Sequence, residues 1–493
     1  MSRLRELGVR VFHPLKLDNS TQVSLATGSV LSTTGLLAQG FLRFATAFLV
    51  GHIAGPGALG VVASAIAVAT LLALLWPTTS GSAASKYVAR ARGAGESTEM
   101  HSTARHLAVR TAQTSLVLAL ASIPVWILVD GGSAAGALCV AGLTLAYSGY
   151  SFTRGVQFGA GQVPRATAWD LMSVGIGLVA LSAALFVGMR GPALLLPLAL
   201  AYAVYALAGW PHGVRGRPER GHRRELDAFV ALGAAGSIAS TGFLQLSQIA
   251  ARLTAGVSEA GQYAAALNLA TPASMLAASL SLVLFPSLAE AWGRGDHTGF
   301  RSQTDRATRA LAAVMTGIFG CLIICSQFLV ALVWGEEFST SATVLPVLVL
   351  AVLATNLAVA SVNALTTTSP RGIRITTGAS LLGMAVGVSI WFVVGDRLGI
   401  LGVALGYLVG AVVIASIPIV IVWRRDGHRW SGVFLRVLGA LIVVGVIGAV
   451  QRTADLPVVL EPVFAAVFLA AWVLVSRHDL PALPRRTHRA QTS

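Results

Sequence analysis

Long apolar runs separated by short basic segments set the pattern of this chain. Fourteen runs are long enough to cross a bilayer, at roughly 24–50, 59–82, 107–129, 134–153, 168–189, 192–211, 228–251, 262–285, 308–334, 342–366, 374–395, 398–423, 434–451 and 456–475. A spanning helix needs about 20 apolar residues. Strands satisfy their backbone in lipid only as a closed barrel, whose runs are about 10 residues long and alternate. The pattern therefore predicts an all-α polytopic membrane protein of about fourteen transmembrane helices.

The polar segments sort by charge. With the N-terminus placed in the cytoplasm, thirty of the 35 lysines and arginines fall on that side. Four (Arg190, Arg252, Arg397 and Arg452) fall on the other, and Arg43 lies inside the first run. Cytoplasmic segments of membrane proteins carry this excess, so both termini are expected in the cytoplasm and the protein in the cell membrane. The basic start (Arg3, Arg5, Arg10, Lys16) precedes an apolar run too long for the 7–15-residue core of a signal peptide. A retained first helix is expected.

Run one repeats in run seven. Gly40-Phe41-Leu42 matches Gly242-Phe243-Leu244, Ala54-Gly55 with Gly60 matches Ala255-Gly256 with Gly261, and Ala89 and Gly93 match Ala289 and Gly293. Two parallel six-helix repeats follow, the arrangement related by an axis along the membrane normal. The expected division is an N-terminal lobe 1–226, a C-terminal lobe 227–425, and an appended helix pair with a tail, 426–493. Gly402, Gly406 and Gly410 give run twelve a small-residue face suited to close helix packing.

Composition narrows the classes. The chain is 55% hydrophobic and 11% charged, against about 25% charged in soluble domains. Its net charge of +15 is parcelled between runs rather than gathered on one face, so nucleic acid is not an expected partner. Cys139, Cys321 and Cys325 lie within runs and lack metal-ligand spacing; neither metal nor cofactor is expected. Gly55-Pro56-Gly57-Ala58-Leu59-Gly60 fits a dinucleotide fingerprint, but that motif has meaning only between a strand and a helix. Here it reads as a tight turn between two membrane helices.

Candidate chemistry is sparse. Asp130, Glu259, Glu336, Glu337, Asp396, Asp455 and Glu461 are scattered over short outer loops without a metal motif or a nucleophile–base pair, so no enzyme is expected. The helix bodies read as free of acids, with Asp170 at the inner start of run five. Arg43 is the one full charge within a run, where an arginine costs at least about 2.5–3.5 kcal/mol. Gln39 lies one turn before it on the same face. Gln245 occupies the matching place in run seven, with Gln248 a turn further on. Arg154, Arg252, Asn268, Asn356 and Asn363 complete the candidate binding residues. Arginine and amides without acid suit an anionic substrate, with the positive side of the cleft on the N-terminal half.

The Gly40–Gly60 segment, Tyr87-Val88-Ala89-Arg90, Arg154-Gly155-Val156-Gln157-Phe158-Gly159-Ala160-Gly161-Gln162 and Leu398-Gly399-Ile400-Leu401-Gly402-Val403-Ala404-Leu405-Gly406 together resemble the multidrug/oligosaccharidyl-lipid/polysaccharide (MOP) exporter superfamily. The closest likeness is to its bacterial polysaccharide flippase branch. The resemblance implies two six-helix lobes in a V that work by alternating access. It also implies transport of an undecaprenyl-pyrophosphate-linked oligosaccharide or polysaccharide repeat unit from the inner to the outer leaflet. The fourteen-helix count is similar to that of the lipid II flippases, where the extra helix pair forms a groove for the lipid tail. Implied partners are the lipid-linked glycan, membrane lipids and glycan-assembly enzymes of the same pathway. Two alternatives stay open: a multidrug or metabolite cation antiporter of the same superfamily, and a membrane glycan ligase or polymerase.

Overall fold

The computed structural model describes residues 17, 25–132, 134–454 and 456–479. Arg3, Arg5, Arg10, Lys16, Asp455, Arg485, Arg486 and Arg489 lie outside them, as do both termini. Among the described residues every regular element is helical. Twelve stretches have the length and apolarity to span a membrane. The sequence pattern gives fourteen because one stretch joins run one to most of run two and another joins run seven to the start of run eight, each at a glycine.

The first of these joints is in α1 (Leu25–Leu74), 50 residues long. Straight, it would measure about 75 Å, more than twice a bilayer's hydrocarbon core. It bends at Gly55, whose φ of 80° and ψ of 179° suit glycine alone. The second joint is in α8 (Phe243–Ala270), which bends at Gly256 with φ 87° and ψ −171°. The two glycines are the ones the sequence repeat pairs, and they adopt the same backbone conformation. The fingerprint-like Gly55–Gly60 segment is thus a one-residue break between helices.

The N-terminal helices are α1, α2 (Pro77–Gly93), α3 (Ser97–Asp130), α4 (Ala134–Gly159), α5 (Val163–Phe186) and α6 (Leu196–Gly209). They pack chiefly on one another. Helix α7 (Arg220–Ser237) follows, then a π-helical turn Ile238–Gly242 that leads into α8. Although α7 continues into the second group, it packs against α2. Leu226 and Val230 are buried with Tyr87, Leu107 and Phe152. His106 and Arg110 of α3 pair with Asp227 at 3.0 and 3.6 Å. Tyr87 donates to Glu225 at 3.1 Å, and burial followed by that carboxylate pushes its phenol up to about 12. Residues 226 and 227 both fall within α7.

The C-terminal group comprises α8, α9 (Ser274–Gly293), α10 (His297–Ile324), α11 (Ser326–Val333), α12 (Ser339–Leu357), α13 (Val359–Thr368) and α14 (Pro370–Asp426). Run eight is interrupted at Thr271–Pro272 and run ten at Ala358. The α14 helix folds back at Gly399. The predicted glycine face closes that hairpin. A methyl group on Gly410 would meet the Gly383 carbonyl, and one on Gly406 the Gly387 carbonyl. The appended pair, α15 (Ser431–Thr453) and α16 (Glu461–Ser476), packs on α10 more than on itself. Trp472 donates to the Ala313 carbonyl at 2.7 Å.

The repeat continues into the turns. Gly95 and Gly295 both have positive φ, 75° and 71°. The Glu96 amide donates to Ala91 O at 3.0 Å, and the Asp296 amide to Ala291 O at 2.9 Å. The same C-cap stands after α2 and α9, 200 residues apart in the sequence.

Candidate functional site

The two groups meet mainly through α1 and α8, most intimately at one end, where backbone touches backbone. That end carries Arg190, Arg252, Arg397 and Arg452 and is poor in arginine. There a methyl group on Gly60 would strike the Val257 carbonyl, and one on Gly261 the Pro56 carbonyl. The contact is reciprocal, as a pseudo-twofold axis requires. Phe48 and His52 of α1 lie against Trp334, with ring centroids 6.2 Å apart in each case. Within the C-terminal group, Gln262 braces this end by donating to the Glu337 carbonyl at 2.7 Å. Arg252 of α8 pairs with Asp130 at the end of α3 at 2.5 Å. This end is shut.

Beneath the seal lies a cavity of about 730 Å³, within the size range of ligand sites. Its wall reaches Thr78, Ser82 and Ser85 of α2, toward the arginine-rich end. Six of the nine sequence candidates line it: Gln39, Arg43, Arg154, Gln245, Gln248 and Asn268. They sit on α1, α4 and α8, so both halves contribute. The cations stand on one side only, Arg43 and Arg154 from the N-terminal helices. Facing them from α8 are the neutral amides.

The arginines are held by tyrosines. Arg43 donates through Nε to Tyr202 Oη at 3.1 Å, and its guanidinium lies 5.0 Å from the centroid of Tyr147. No ion pair involves Arg43 among the described residues. Tyr150 lies tilted against Tyr202, ring centroids 4.8 Å apart, and donates to Asp170 Oδ1 at 3.3 Å. Asp170 Oδ2 in turn accepts from Arg154 Nε at 3.1 Å. Gln39 donates to the Asp170 carbonyl at 3.2 Å and to Ser173 Oγ at 2.8 Å. The two arginines thus belong to one connected wall.

Three candidates lie elsewhere. Arg252 is buried in its ion pair with Asp130 at the closed end, which corrects its expected place in the cleft. Asn356 donates to Ser274 Oγ at 3.2 Å and to Val352 O at 2.9 Å. Asn363 donates to Ser281 Oγ at 2.8 Å. Both asparagines bridge α9 to the α12–α13 segment, since the seven-residue spacing on each side puts the two pairs on one helix seam. Gln248 lines the cavity through a side chain that also donates to the Ala260 carbonyl at 3.0 Å.

Asp170 is a second correction. Its helix begins at Val163, so Asp170 sits two turns inside it, fully buried. The helix bodies are not free of acid. The tyrosines were also missed. Four of the chain's 7 tyrosines gather here, and their spacing was the available signal. Tyr147 and Tyr150, like Tyr202 and Tyr205, are three residues apart on one helix face.

The comparisons with known proteins bear on this geometry. The family model described as "Lipid II flippase MurJ" matches residues 167–471, more than half of the chain. The chain belongs to the MurJ family. No curated protein matches it in sequence. Among solved structures, an inward-facing multidrug resistance MATE family transporter of the MOP superfamily superposes with a TM-score of 0.66 at 15% identity. The match covers 80% of this chain and 94% of that one. A MOP superfamily transporter from Pyrococcus furiosus, described as having a binding pocket of reverse polarity, gives 0.60 at 14% identity over 81% and 94%. An outward-facing MATE family transporter gives 0.58 at 14% identity over the same shares. These likenesses establish the fold. With the family, they make the chain a multi-pass membrane transporter of the MOP superfamily, of the kind that flips a lipid-linked substrate.

Proposed function

We propose that this protein carries an undecaprenyl-pyrophosphate-linked glycan across the cell membrane, from the cytoplasmic to the outer leaflet. The observation that carries this reading is the one-sided wall of the cavity, where Arg43 has no acidic partner among the described residues and faces amides. The pyrophosphate is the part of such a substrate that cannot enter hydrocarbon unaided. A guanidinium offers it a planar fork of donors, and charge-assisted bonds to phosphate are about twice as strong as neutral ones. Gln245, Gln248 and Asn268 suit sugar hydroxyls, and the polyprenyl tail stays in lipid. The substrate named in the family description, lipid II, is the first head group to test, and another glycan repeat unit on the same carrier is the second.

Direction follows from charge. If the arginine-rich end is cytoplasmic, the shut end faces outward and the cavity receives substrate from inside. Residues 1–226 and 227–425 then rock as two bodies, with 426–493 carried by the second. Opening outward requires breaking the Arg252–Asp130 pair and parting Gly60 from Gly261.

Asp170 favours one other reading, a cation-coupled antiporter, because that chemistry uses a membrane carboxylate. Its pairing with Arg154 weighs against it. The deciding experiment reconstitutes the full chain in liposomes with fluorescent lipid II or with a second undecaprenyl-pyrophosphate glycan in the starting leaflet. Protein-dependent translocation of either supports the flippase reading. Efflux of cationic dyes with no lipid movement contradicts it.

A further inference from the structure

Asp170 is the buried charge this reading leaves without a task. Two neighbouring helices, α4 and α1, enclose it. Oδ2 accepts from Arg154 Nε at 3.1 Å and Oδ1 from Tyr150 Oη at 3.3 Å. Gly35 of α1 covers the pair, and a methyl group there would collide with Oδ2. One turn later Gln39 ties α1 to the Asp170 backbone and to Ser173. A buried ion pair is weak evidence for stability, because desolvation takes back most of the attraction. What such a pair does well is fix orientation.

The fixed group is Arg154. Its Nε edge is taken by Asp170, and its guanidinium lies 4.8 Å from the Phe158 ring centroid. Its Nη2, on the same edge as Nε, is buried beside Gly35, while the side chain as a whole stays 19% exposed. Arg154 lines the cavity, while Asp170 does not reach the wall. The wall therefore carries a second guanidinium side chain, locked along its Nε edge and still partly exposed.

We infer that Asp170 is a positioning residue, which holds Arg154 so that the exposed part of its guanidinium meets the phosphate of the substrate head group. This rests on the flippase reading and deepens it. The pair also sets the charge of the site. Asp170 cancels Arg154, so the wall offers a net single positive charge from Arg43 and two oriented forks.

Charge and orientation predict opposite outcomes, which makes the idea testable. Removing Asp170 makes the wall more positive, so a merely electrostatic role predicts tighter binding of an anion. Positioning predicts weaker binding. The experiment measures binding of undecaprenyl pyrophosphate to the full chain in detergent, with uncharged undecaprenol as reference. Asp170→Ala is expected to weaken pyrophosphate binding roughly tenfold, as loss of an oriented charge-assisted bond would, and to leave undecaprenol unchanged. Asp170→Asn keeps an acceptor for Nε and is expected to recover part of the loss. Arg154→Lys keeps the charge but lacks the fork, and is expected to match Asp170→Ala; combining the two should cost no more than either. Parental or tighter binding by Asp170→Ala overturns the proposal, as does parental binding by Arg154→Lys, which also decides the matter should Asp170→Ala not fold. If Arg43→Ala binds and transports like the parent, the flippase reading itself falls, whatever Asp170→Ala does.

Discussion

At the scale of single residues, the cavity wall is defined by who has a partner. Arg154 has Asp170, Arg252 has Asp130, and Arg43 among the described residues has tyrosines and no acid. Asn363 illustrates the opposite case, a polar residue that serves packing. Its bond to Ser281 is of the interhelical kind that averages about 0.6 kcal/mol in membranes. Asn363→Ala is expected to lower thermal stability by about that amount and to leave binding of the lipid pyrophosphate unchanged. A comparable loss of binding affinity would return Asn363 to the site. Arg43 was legible in the sequence because a lone cation in an apolar run has a cost that demands explanation. The fates of Arg252, Asn356 and Asn363 were not legible, because their partners Asp130, Ser274 and Ser281 lie 122, 82 and 82 residues away. Composition offers no signal for such pairings. Asp170 was misplaced because apolar content starts its run at 168, whereas Pro164 at the first turn lets the helix begin at Val163.

At the scale of elements, two glycine bends decide the architecture. Hydropathy located the helices of runs one, two, seven and eight, but could not show that run one continues through a bend into run two, and run seven into the start of run eight. The repeat supplied the missing hint, since Ala-Gly recurs at the same place in both. At Gly256 the φ of 87° is disfavoured for any residue with a side chain. Gly256→Ala is expected to destabilise the protein by about 1 kcal/mol or more, read as a lower unfolding temperature in detergent. Unchanged stability would mean that the bend does not hold in the folded protein. Gly60 has a different task, since its lack of a side chain allows α1 to touch α8. Gly60→Leu is expected to hold the arginine-poor end apart, so that a cysteine placed at Phe48 gains reactivity to a water-soluble thiol reagent. No change in reactivity would place the seal elsewhere.

At the scale of the whole molecule, two helix groups enclose a cavity shut at one end, and transport requires the shut end to open. Asp130 and Arg252 mark the two sides of that seal. A variant with cysteine at both positions, treated with a short thiol-reactive bis-maleimide cross-linker, is expected to stop translocating lipid while still binding it. The uncross-linked variant should transport. Full transport by the cross-linked protein would show that this end need not part. The architecture was readable from charge and periodicity alone, because the bilayer permits few solutions. The closed end was not, because the sequence specifies both ends of a transport cycle and the structure displays one.

The central claim is that the unpaired cation of the N-terminal wall carries the pyrophosphate through the membrane. The most direct measurement is the translocation rate of fluorescent lipid II, or of the alternative lipid-linked glycan if that is the one moved, in liposomes holding either the parent or Arg43→Ala. Loss of a charged contact worth about 1.5–3 kcal/mol predicts a rate at least tenfold lower at limiting substrate, with the folded protein still present in the membrane. Translocation by Arg43→Ala at the parental rate would contradict the account.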